Sequence, residues 1–130
     1  MSIFQGNSWS INLLPEWTGE HEEDCSTVYH PRGVGALQIS SYSKDSVITE
    51  SDIRDFAQEH IEAGAKLHEL IAGEFKGFTL AFAADDEFWQ YWYVAKSNKF
   101  LLITYNCNEA NLGPEREQVK IMVASLKAAT

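Results

Sequence analysis

The chain is short of the features that usually announce chemistry or a cellular address. It has two cysteines, Cys25 and Cys107, far apart and in no metal-ligand spacing. Neither a disulfide framework nor a cysteine-based zinc cluster is expected from them. No apolar run approaches the roughly 20 residues that a membrane-spanning helix needs. Met1 to Trp9 lacks a basic stretch followed by an apolar one, so no signal peptide is expected and the cytoplasm is the default address. Positive charge is scarce, with 10 Lys and Arg against 19 Asp and Glu, a formal net charge of −9. Such a surface repels phosphate backbones and anionic lipid, so neither nucleic acid nor membrane is an expected partner. A basic protein is compatible with it, and the field would speed its approach.

The usual catalytic signatures are missing as well. There is no Gly-x-Ser-x-Gly elbow, no phosphate loop ending in Gly-Lys-Ser/Thr and no His-Glu-x-x-His pair. Gly33-Val34-Gly35 leads into a strand pattern rather than a helix, the reverse of a dinucleotide site, and reads as a turn. No cofactor, metal or catalytic residue is expected.

What is present suits one self-sufficient domain over residues 1–130. At this length, a chain that is 45 % hydrophobic can bury a core of its own. Ser8 to Leu13 alternates, with Trp9, Ile11 and Leu13 on one face, and Leu14-Pro15 ends the strand. A short strand is expected around Trp17, another over Cys25 to His30, then a turn at Pro31-Arg32-Gly33 and a strand over Val34 to Tyr42. At Thr49-Glu50-Ser51-Asp52 a capping box opens a helix whose apolar stripe is Ile53, Phe56, Ala57, His60 and Ile61, with Gly64 as its terminator. Strands follow at Lys66 to Ala72, Phe75 to Ala84, Phe88 to Ala95 and Lys99 to Asn106, joined by short turns as in an antiparallel meander. Gly113-Pro114 opens a last helix with Val119, Met122, Val123 and Leu126 buried. The expected fold is α+β: a twisted antiparallel sheet of about six or seven strands flanked by two helices, in the order β-β-β-α-β-β-β-β-α.

Candidate site residues are few. Each histidine reads most simply as structural: His60 on the helix stripe, His68 on a strand, His30 before Pro31 and His21 in the acidic loop. Cys25 or Cys107 with His30 could be drawn as a nucleophile pair, but strand cysteines usually pack as small apolar groups. The distinctive segment is Phe88-Trp89-Gln90-Tyr91-Trp92-Tyr93-Val94. Alternation sends Phe88, Gln90, Trp92 and Val94 to one face and Trp89, Tyr91 and Tyr93 to the other. The second face needs a covering helix or a partner, and Trp and Tyr are enriched at interface hot spots. The acidic turns Glu22-Glu23-Asp24 and Asp85-Asp86-Glu87 are the matching candidates for contact with a basic surface.

The phrases "WSINLLPEW", "YHPRGVGALQIS" and a closing strand followed by "VKIMVASLK" resemble the PsbP-like family, which includes the DcrB proteins and the Eag-type secretion chaperones. The resemblance covers most of the chain as an order of elements. It implies a twisted antiparallel sandwich in proteins that mostly bind other proteins, and it carries no catalytic residue across.

The expected function is therefore a small cytoplasmic bacterial protein-binding module, either an immunity-type inhibitor or a secretion adaptor. The first form predicts salt-sensitive contact through the acidic turns, the second an apolar groove. Two alternatives come from other classes. One is an enzyme or small-ligand protein with a pocket between sheet and helix; the other is a homodimer paired through the spare aromatic face.

Overall fold

The alternation over 75–84 and 87–96 sets the centre of the structure, a computed structural model that describes residues 2–111 and 113–129. The chain runs through β1 (Ser2–Gln5), β2 (Trp9–Leu13), β3 (Thr18–His21), β4 (Ser26–Tyr29) and β5 (Gly35–Ser43) before the first helices, α1 (Glu50–Phe56) and α2 (Gln58–Glu62). It continues with β6 (His68–Ala72), β7 (Phe75–Ala84), β8 (Glu87–Lys96) and β9 (Lys99–Asn108). A 3₁₀ turn at Glu109–Asn111, α3 (Pro114–Ala124) and β10 (Lys127–Ala128) complete it.

Seven strands form one antiparallel sheet in the order β3-β4-β5-β9-β8-β7-β6. Two meanders, β3-β4-β5 and β6-β7-β8-β9, are joined by the long pairing of β5 with β9, from Gly35 opposite Cys107 to Ser43 opposite Lys99. The β7–β8 turn is two residues long, with Asp85 and Asp86 both at positive φ (52° and 67°). Hairpin turns of this kind match the strand twist, and Asp tolerates the left-handed region better than most residues.

Each face of this sheet has its own cover. On one face lie α3 and a small sheet, β1-β2-β10. There Phe88, Trp92 and Val94 of β8 meet Leu101, Ile103 and Tyr105 of β9, Trp9, Ile11 and Leu13 of β2, and Val119, Met122 and Val123 of α3. On the other face, Ile53 and Ala57 of the first helical segment pack on Phe78, Leu80, Tyr93, Ala95 and Phe100. This second core is smaller, because α1 and α2 are short and lie toward one end of the strands.

The sequence expectations hold for the antiparallel meander, the capping box and the last helix. They differ in three places. One expected helix is broken at Ala57, whose N–H is shared between the Ile53 and Arg54 carbonyls (3.3 and 3.1 Å), a local tightening that starts α2 in a new phase. Phe56, expected to be buried, stays exposed on one side while its ring stacks on Phe100 with centroids 4.1 Å apart. Five strands rather than the expected three precede the first helix, and β1 and β10 were not expected, since β1 has no buried alternation and β10 has two residues; both pair with β2 between them.

A buried carboxylate ties α3 to the sheet. Glu115 is 6 % exposed. The Val34 and Gly35 N–H groups donate to its two oxygens (3.0 and 3.1 Å), and the Tyr105 hydroxyl donates to Oε1 at 2.7 Å. Burial, then the hydrogen bond to Glu115, pushes the Tyr105 phenol well above its usual range. A Cβ at position 33 would collide with Glu115 Oε2, and one at position 35 with the Asn106 carbonyl, so both glycines are required for the close approach. The motif that reads as a turn is therefore a small carboxylate cradle.

Glu115→Ala is expected to destabilise the fold by on the order of 3 kcal/mol, because it orphans three donors at once. Urea unfolding midpoints of the wild type, Glu115→Gln and Glu115→Ala should fall in that order. At the other end, the Lys44 ammonium (2.7 Å) and the Thr49 N–H (2.9 Å) hold the Asp52 carboxyl below its usual range. A lowered carboxylate pKa stabilises the fold above about pH 4 and loses that contribution as pH falls through the folded value. Asp52→Asn should therefore reduce stability at neutral pH and flatten its dependence on acid, as read from melting temperatures across pH.

Candidate functional site

The aromatic strand is where the sheet's cover runs out. Along β8, Trp89, Tyr91 and Tyr93 share a face by the period of two, with ring centroids 6.2 and 5.9 Å apart. The ladder continues across the sheet from Tyr93 to Phe100 (6.4 Å), then to Phe56 and to Tyr42 (5.6 Å between the last two). Coverage falls from one end to the other. Tyr93 is 3 % exposed beneath α1, and desolvation pushes its phenol well above the ordinary value. Tyr91 is half-buried, with His60 of α2 lying 4.6 Å from its ring, and desolvation raises it as well. Trp89 is half-buried and lies past the end of the helix cover.

The ladder thus divides into structural and surface members. Tyr93 belongs to the second core and offers no surface to a partner. Trp89 does, and around it the same face carries Asn106 and Thr104 of β9 and Gln38 and Ala36 of β5, by the pairing register. Glu87 shares this face, two residues before Trp89, and accepts a hydrogen bond from Asn106 Nδ2 (3.2 Å). Asp85 and Asp86 are exposed at the adjoining turn. Trp89, Glu87, Asp85 and Asp86 therefore form one contiguous aromatic and acidic patch.

The second acidic turn is not part of it. Following the register from Ser26 through Ile39 and Ile103 to Trp92, the loop Glu22-Glu23-Asp24 lies at the opposite end of the strands from Asp85 and Asp86. Glu22 there accepts from the Thr27 hydroxyl, and all three acids are exposed. The candidate residues make two separate acidic ends, which no linear reading could distinguish.

The residues considered for nucleophilic chemistry are occupied elsewhere. Cys107 is buried on the α3 side, and desolvation raises its thiol, the wrong direction for a thiolate nucleophile. His30 receives the Arg32 N–H at Nδ1 (3.0 Å) and turns Nε2 toward Glu16 (3.3 Å). His21 Nδ1 meets the Ser26 hydroxyl (2.7 Å) while its ring stacks on Phe4. Among the described residues, no three His, Cys, Asp or Glu side chains converge as metal ligands would, and no helix is long and apolar enough to cross a membrane.

A feature missed from sequence is a cleft of about 840 Å³ between the Ala63–Lys66 loop and α3, beside β7. Its residues come from five separated segments, so no local motif marks it. A groove of about 1050 Å³ with a mixed apolar and charged lining lies between the start of α1 and β6. It includes Ile71, 75 % exposed, and Val47, 64 % exposed.

The graded cover gives a direct contrast. Tyr93→Ala should cost about 3 kcal/mol or more by emptying the second core, whereas Trp89→Ala should cost about 1 kcal/mol or less. Chemical denaturation of the two variants measures both.

No protein-family model and no curated protein matches this chain. Solved structures do. A crystal structure from Bacteroides thetaiotaomicron VPI-5482 is similar over 94 % of this chain, with a TM-score of 0.69 and 18 % identity. The chain spans 45 % of that protein's length. LpqN of Mycobacterium tuberculosis, described as involved in cell envelope biogenesis, is similar over 94 % of this chain and 83 % of its own, with a TM-score of 0.62 and 9 % identity. At these identities the likeness is one of fold alone, an α+β arrangement.

Proposed function

We propose that the protein is a non-catalytic, cytoplasmic protein-binding module of the PsbP-like type, engaging a basic partner through the Trp89 patch. The observation that carries this reading is the half-buried Trp89 at the uncovered end of an aromatic ladder, next to Glu87, Asp85 and Asp86. A large aromatic anchor ringed by charge is the arrangement that supplies binding energy at protein interfaces. Acidic residues beside it steer a basic partner and fix its register more than they add affinity. The PsbP-like assignment is supported by the long antiparallel sheet with helices on both faces. The second acidic end, Glu22 to Asp24, adds to the long-range field without touching the same partner surface.

A second reading, an adaptor that cradles an apolar segment, is favoured by the groove at Val47 and Ile71. The two readings separate by salt. In capture experiments from the source cell at graded ionic strength, the patch reading expects a partner that is released as salt rises and lost in Trp89→Ala. The groove reading expects retention at high salt and loss in Ile71→Glu. Absence of any captured protein under all conditions would overturn both.

A further inference from the structure

Strand β7 is paired along its whole length on one side only. The pairing with β8 runs from Lys76 to Ala84, whereas that with β6 ends where Thr79 meets His68. Leu80 to Ala84 therefore present an open sheet edge, and the cleft of about 840 Å³ runs beside it. Open edges are templates for another strand, and proteins usually guard them with Lys, Pro or a bulge on the strand itself. This one carries Ala81, Ala83 and Ala84, all exposed, and nothing on the strand blocks an incoming chain.

The charge around the edge runs against the charge of the protein. Of 10 Lys and Arg in the chain, Lys66, Arg116 and Lys120 line the cleft, joined by His60 and His68. Among the described residues no Asp or Glu lines it, although Glu117 lies 3.8 Å from the Lys120 ammonium and Asp85 follows the open edge directly. Chance placement in so acidic a chain would favour carboxylates. Arg116 is positioned with its guanidinium 5.1 Å from the Phe88 ring centroid, and its Nε is buried without a hydrogen-bond partner among the described residues.

We propose that this cleft accepts an extended acidic segment of a partner protein, added to the sheet beside β7. The proposal rests on the protein-binding reading but uses the β7 edge and its cleft, which adjoin the Trp89 patch through the Phe82–Trp89 pair, rather than the patch itself. The register also gives a sequence rule for the segment. Side chains of an added strand alternate between the two faces. On one face they meet Arg116 and Lys120 of α3, the side to which Ala81, Ala83 and Gln90 also point. On the other they meet Phe82 and His60, whose rings lie 5.1 Å apart. The matching segment therefore alternates carboxylate and apolar residues over the length of the open edge, roughly 17 Å for five residues.

The test uses the full chain and a labelled Glu-Val-Glu-Val-Glu-Val-Glu peptide. Its controls are a peptide of the same composition in blocks, an alternately N-methylated analogue that cannot extend a sheet, and free glutarate. Fluorescence anisotropy gives affinity, and amide hydrogen exchange gives location. The expected result is binding of the alternating peptide with slowed exchange over 80–84, and affinity weakened about tenfold in the exposed-charge variant Lys66→Glu/Lys120→Glu. Circular dichroism checks that this variant keeps its fold. Equal binding of the block or N-methylated peptide overturns strand addition, and glutarate binding as tightly as the peptide reduces the cleft to a small-anion site. Loss of peptide binding alone, with a natural partner still captured through Trp89, overturns this proposal and leaves the protein-binding reading intact.

Discussion

A sheet of seven strands must be dry on both faces at its centre, and among the described residues three short α-helices are there to achieve it. Strands β8 and β9 meet that demand, with residues of opposite parity buried in separate cores. The face under α3 is completed by the small β1-β2-β10 sheet, which substitutes for helix that the chain lacks. The face under α1 and α2 is not completed. From that shortfall come the half-buried Trp89 end of the ladder and the polar surface on β5 and β9, whereas the open edge of β7 comes from the β6 pairing ending at His68.

The position of α3 depends on one buried charge. Desolvating a carboxylate is costly unless its oxygens are hydrogen-bonded. Glu115 is held by the backbone N–H groups of Val34, just before β5, and of Gly35, its first residue, and by the Tyr105 hydroxyl of β9. That anchor sets the helix phase, and the phase puts Val119, Met122 and Val123 into the core while leaving Arg116 and Lys120 along the cleft. Stability and recognition chemistry therefore share an origin: the cradle that secures the helix also aims its cations.

Charge is sorted by the fold in a way that net charge conceals. Acidic residues collect at turns on opposite ends of the strands, where they remain solvated. Three of the ten Lys and Arg, namely Lys66, Arg116 and Lys120, line one lateral edge. A protein of net charge −9 can then present a basic partner with an acidic aromatic patch and an acidic segment with a basic cleft. The two surfaces adjoin, since Phe82 of the cleft pairs with Trp89 and Asp85 follows the open edge, so the acidic turn limits how far along β7 an acidic segment can reach.

Local pattern carried much of this structure. The alternation of Phe78, Leu80 and Phe82 and the aromatic run Phe88 to Ala95, set off by short turns, marked those strands, and their faces followed because side-chain direction in a strand depends on position alone. The capping box at Thr49 and Asp52 and the Gly113-Pro114 start of the last helix were legible for the same reason, as local backbone chemistry. Tertiary contacts decided the rest. Ser2 to Gln5 becomes a strand because Trp9 to Leu13 lies beside it, and the helix breaks at Ala57 as its two segments settle on a twisted sheet. The sequence marked Trp89, Tyr91 and Tyr93 as equivalent; only the reach of α1 separates the buried Tyr93 from the accessible Trp89. No local pattern set Glu115 apart, and none signalled that Lys66, Arg116 and Lys120 would meet. Pattern determines which way a side chain points, whereas burial and clustering depend on what another part of the chain brings to it.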